Sequence, residues 1–144
     1  MARKMVEVRL DHIFCPTSGD DPGPSLELFG KLWAKVNFTH PNGFVTEKAH
    51  VPLWDQQPYV TIATNTFLGN FPVQEVIMRD NEWLQIGGYI KDEDDGFWDP
   101  NDTLNPDRFI QIGVNEINST PRVETIFWQE SDQKIETKFT ITQI

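Results

Sequence analysis

Two stretches near the end of the chain, Arg122–Gln129 and Lys134–Ile141, alternate polar and apolar residues, with Glu130-Ser131-Asp132-Gln133 between them. Alternation with a period of two places every second side chain on one face of an extended strand. Two such stretches joined by a short polar connection predict a hairpin. The same pattern recurs upstream. Val6–Cys15 alternates through Leu10, and Leu26–Phe38 alternates from Leu28 with Gly30 in place of a bulky residue. A glycine inside a strand marks a bulge or a close backbone approach. Tyr59–Thr64 is rich in strand-forming residues, and Glu82–Lys91 and Arg108–Val114 read as strands on either side of an acidic run. Phe71–Met78 fits a strand or a short helix. Thr46–Gln57 is irregular, and Pro52 and Pro58 oppose a helix there.

About eight short strands separated by turn signals, without a convincing amphipathic helix, predict an all-β fold, an antiparallel β-sandwich, with a barrel as the alternative. The chain has 144 residues, enough for one domain with a real core, and no linker or repeat divides it, so residues 1–144 are read as a single β-sandwich domain. Five Trp and ten Phe supply bulky core material for a chain that is only 38% hydrophobic.

Charge narrows the function classes. The formal net charge is −10, and no basic stripe is available to neutralise phosphates, so nucleic acid is an unsuitable partner. Anionic membranes are also unsuitable unless cations reverse the local charge. The N-terminal residues have no apolar segment of a signal peptide, and no window reaches the length of a membrane-spanning helix. The expected location is cytoplasmic, or exported without a classical signal. One cysteine, Cys15, excludes an internal disulfide and cysteine-based zinc motifs, and reads as a buried structural thiol. His12, His40 and His50 are scattered, with His12 on a strand. Nucleophile-elbow, phosphate-loop and dinucleotide motifs do not occur, and the acidic residues cluster on loops rather than facing a cleft, so the chain is not expected to be an enzyme. The sequons at Asn37, Asn101 and Asn118 are read as chance matches.

The strongest chemical signal is Lys91–Asp102, which holds five aspartates and one glutamate around Gly96 and Pro100, with Phe97 and Trp98 in the middle. Carboxylates this close repel one another unless a cation compensates. Calcium takes six to eight oxygen ligands, and Asp92, Asp94, Asp95, Asp99, Asn101 and Asp102 offer them. The run is not an EF-hand. Counting from Asp92, its fifth and twelfth positions are Gly96 and Thr103, where that loop needs Asp or Asn and Glu. A second acidic pair, Asp20 and Asp21, lies in the Pro- and Gly-rich connection Pro16–Pro24.

This layout resembles C2-type calcium-binding sandwiches. In that family one loop carries Asp-x-Asp and a later Asp, and a second acidic loop lies near the first strand. The resemblance implies Asp92 and Asp94 as the Asp-x-Asp element, Asp99 or Asp102 as the later ligand, and Asp20 and Asp21 as the second loop. It also implies calcium-dependent docking on phospholipid, with Phe97 and Trp98 where an inserting tip would be. The resulting expectation is a calcium-binding module that attaches to a membrane surface or a protein partner. Two alternatives stand beside it. One is a structural or assembly protein in which the acidic loop is only solvated. The other is a calcium-supported carbohydrate-binding module using Trp98. Of the other tryptophans, Trp33, Trp83 and Trp128 lie on expected strands, where aromatic residues more often fill the core, and Trp54 lies in the irregular stretch.

Overall fold

The computed structural model describes residues 3–19, 25–93, 107–130 and 133–144, together with the backbone of 102–103. Ten strands appear among them: β1 (Arg3–Thr17), β2 (Ser25–Thr39), β3 (Val45–Ala63), β4 (Phe67–Leu68), β5 (Gln74–Arg79), β6 (Glu82–Asp92), β7 (Asp102–Thr103), β8 (Arg108–Gly113), β9 (Arg122–Glu130) and β10 (Gln133–Gln143). They form two antiparallel sheets. In the first, β1 lies between β10 and the short strands β4 and β5, and β9 forms the far edge. In the second, the order is β3-β2-β6, with β7 and β8 both pairing on β6. The antiparallel sandwich expected from the alternation is the one observed.

The core lies between the sheets and follows the alternation of each strand. On β1, Val6, Val8 and Leu10 face inward. A register shift between Leu10 and His12 then exchanges the two faces, so Ile13 and Cys15 continue the core. Leu26, Leu28, Leu32, Ala34 and Val36 of β2 meet Leu84, Ile86 and Ile90 of β6 on the inner face of the second sheet. Trp128 and Phe139 fill the first. Trp128 Nε1 donates to Thr137 Oγ1 at 3.0 Å, and the Thr137 hydroxyl donates to the Ile126 carbonyl at 3.1 Å, so the buried indole N–H is satisfied. Trp54 is also buried, whereas Trp33 and Trp83 stand half-buried on the outer face of the second sheet.

The count is ten strands rather than eight because the short segments β4 and β7 each add a pair of bridges at a sheet edge. The irregular stretch 46–57 and the strand-like 59–64 are one strand, β3, bent by register shifts where it follows β2. The Phe71–Met78 stretch resolves as strand from Gln74 onward, where its backbone pairs with β1 as β5, and Phe71–Val73 lead into it. Gly30 behaves as its place in the sequence predicts. It sits at a register shift, has φ +147, and a Cβ there would run into the Tyr89 carbonyl of β6.

Candidate functional site at the acidic end of the sandwich

β2 leaves one end of the sandwich at Ser25 and reaches the other at Thr39, while β6 runs back from Glu82 to Asp92. The connections after β1 and after β6 therefore emerge at the same end. Their bases are tied together. Leu28 pairs with Asp92. The Glu27 N–H donates to Asp92 Oδ1 at 2.9 Å, and the Glu93 N–H donates to the Glu27 carbonyl at 2.8 Å. The acidic run is closed at its base by β7, which sets Asp102 opposite Asp92 and Thr103 opposite Lys91. The other connection starts from a braced segment. Ser18 is buried and its hydroxyl accepts from Thr64 Oγ1 at 3.0 Å, and the Asn65 N–H donates to the Cys15 carbonyl at 2.7 Å.

Asp92 is the expected ligand whose side chain lies among the described residues. It is 1% exposed. The reason is the parity of β6: Leu84, Ile86 and Ile90 face the core, and Asp92 is the next residue on that face. Its Oδ2 accepts from Gln133 Nε2 at 3.3 Å, across the sandwich at the start of β10. With Glu27 on one oxygen and Gln133 on the other, the carboxylate joins the two sheets beneath the acidic loops. Two charge-assisted hydrogen bonds are the usual compensation for burying a carboxylate. Cys15, fully buried on β1, feels the same environment. Burial first and the Asp92 charge second push its thiol up to about 11. It is the inert core thiol expected from the sequence.

Asp20, Asp21, Asp94, Asp95 and Asp99, with Phe97 and Trp98, lie outside the described residues, and Asp102 is described in backbone alone. Among the described residues, no group of three or more His, Cys, Asp or Glu side chains is arranged to hold a metal ion. The histidines are apart. His12 Nε2 lies 3.0 Å from Glu136 Oε2, His40 Nε2 lies 2.7 Å from Thr46 Oγ1, and His50 packs at 5.8 Å against Trp33. Sequence reasoning missed Gln133 and the Glu27 backbone as the partners of Asp92. The signal that could have raised the question was the even parity shared by Leu84, Ile86, Ile90 and Asp92.

Neither a protein-family model nor a curated protein matches the chain. Solved structures do. A C2 domain protein from Ramazzottius varieornatus matches at 14% identity and TM-score 0.47, covering 99% of this chain and 90% of that one. The C2A domain of a plant Extended Synaptotagmin 1 matches at 10% identity and TM-score 0.38, over 98% and 95%. A CC2D1B structure, described as coordinating ESRCT-III activity during the mitotic reformation of the nuclear envelope, matches at 7% identity and TM-score 0.44. This chain spans only 55% of its length. By its own two sheets the protein is an antiparallel β-sandwich, and along nearly its whole length it is similar to solved structures that include C2 domains.

Proposed function

We propose that the protein is a C2-like binding module that takes up calcium between its two acidic connections and attaches through them to a membrane surface or a protein partner. The ligand set is drawn from Asp20 and Asp21 on one side and Asp94, Asp95, Asp99 and Asp102 on the other, with Asp92 at the base. The observation that carries the reading is the pair of backbone and side-chain bonds between Glu27 and Asp92–Glu93, which start both acidic connections from neighbouring strands. Carboxylates from two connections rooted this close repel one another, and a divalent cation relieves that repulsion while taking the oxygen donors it prefers. Phe97 and Trp98, inside the same run, are the contact residues in this reading.

Thermal unfolding in calcium and in chelator tests it. A cation bound only by the folded state raises the midpoint with concentration. Asp94→Asn is expected to remove most of that rise, and sedimentation with anionic vesicles in calcium then reports docking. An unchanged midpoint at millimolar calcium would sink the proposal.

A further inference from the structure

At the end of the sandwich opposite the acidic connections, β2 and β3 are joined by a turn whose residues Pro41, Asn42, Gly43, Phe44 and Val45 are all exposed. Phe44 is 66% exposed and Val45 44%. The turn is held in shape. The His40 N–H donates to the Phe44 carbonyl at 2.7 Å, the Gly43 N–H to the His40 carbonyl at 2.8 Å, and the Phe44 N–H to Asn42 Oδ1 at 3.0 Å. Gly43 takes φ +89, which a side chain would resist. Behind the turn the His40 ring packs against Phe38, and Trp83 Nε1 donates to Thr39 Oγ1 at 2.9 Å. Other exposed phenylalanines rest on sheet neighbours: Phe67 stacks on Phe14, and Phe109 lies against Trp33. Phe44 leans only on its own turn, its ring 5.8 Å from that of His40, and is carried outward on a braced tip.

The turn itself carries no charge, and charged residues near it, Lys48, Arg79, Asp80 and Glu82, line a hollow beside Phe38. From Val36 to Thr46 the sequence has no Lys, Arg, Asp or Glu, in a chain with 22 acidic and 12 basic residues. The 15 residues of β2 separate the tip from the acidic end by roughly 45 Å at the usual rise per residue. That is several screening lengths at physiological salt, so the acidic loops do not repel a surface from the tip. A convex turn of a few residues cannot supply the roughly 800 Å² per partner of a stable protein interface. A bilayer surface can envelop it.

We infer that the Pro41–Val45 tip is a calcium-independent insertion point for a neutral lipid surface, with Phe44 as the inserting ring. The inference stands apart from the calcium reading, because it uses the other end of the molecule. The test sediments the full chain with phosphatidylcholine vesicles in chelator. The expected result is measurable partition that Phe44→Ala lowers by at least about tenfold, the smaller end of what burying a phenylalanine yields. Phe67→Ala, at another exposed phenylalanine, is expected to leave it unchanged. A Phe44→Trp variant should show emission quenched by brominated acyl chains. Absence of partition by the wild-type chain would overturn the inference, as would a Phe44→Ala variant that partitions equally. An equal loss of partition in Phe67→Ala, or a chain dimer that Phe44→Ala abolishes, would overturn it too.

Discussion

Asp92 shows how much one residue's neighbours matter. A buried carboxylate accepting from a backbone N–H and a glutamine amide is a brace whether or not a metal lies above it. Asp92→Ala is therefore expected to lower stability by about 2–4 kcal/mol, since it strands the Glu27 N–H and the Gln133 amide. That loss should appear in chelator, by urea unfolding, which separates bracing from metal ligation. Cys15 gives a second expectation. The unfolded thiol ionises at its ordinary 9.0, while the folded one keeps its proton to about 11. The group therefore contributes fully below pH 9 and loses that contribution as pH rises toward 11, a loss on the order of 2–3 kcal/mol. Comparing the alkaline limb of the stability profile with that of Cys15→Ala checks it. Asp92→Asn should move the ionisation of Cys15 downward but not back to 9.0, because burial is the larger cause.

At the scale of elements, β6 is the strand on which the second sheet depends, pairing with β2 along one edge and with β7 and β8 along the other. Its neighbours come unusually close. Gly87 has φ +155, and a Cβ there would run into the carbonyl of Arg108 on β8. Gly87→Ala combines backbone strain with that collision and is expected to cost about 3 kcal/mol. A shifted urea midpoint with an unchanged slope would check it. Gly87 and Gly88 lie in a stretch that the sequence reads simply as a strand. That they permit a close strand approach could be seen only once β8 was beside them. The β3 strand makes the complementary point. Its prolines removed a helix from consideration, but its continuity comes from pairing with β2, a long-range contact that no local pattern encodes.

For the whole molecule, a net charge of −10 places self-repulsion in the balance. Monovalent salt should raise the thermal midpoint somewhat by screening. Calcium at matched ionic strength should raise it further, and only that excess, lost in Asp94→Asn, reports a site. The two ends of the sandwich are chemically unlike, with acidic connections at one and an uncharged aromatic turn at the other. The two proposed contacts therefore use opposite ends of the double sheet and can be tested separately.

The sequence by itself determined an antiparallel all-β fold, with the sandwich ahead of a barrel, because period-two alternation has few other ways to bury its apolar face, and it located the acidic connections between strands. It also marked Gly30 and the inert thiol. Only the tertiary structure decided that the Phe71–Met78 stretch is strand from Gln74 onward and that both acidic connections are rooted on neighbouring strands. The inward turn of Asp92 onto Gln133 was decided there as well. Those outcomes depend on which strands pair and in what register, and pairing between residues tens of positions apart leaves no mark on local periodicity. The run that began as a cluster of like charges thus has a base bonded into the core at Asp92 and Glu27.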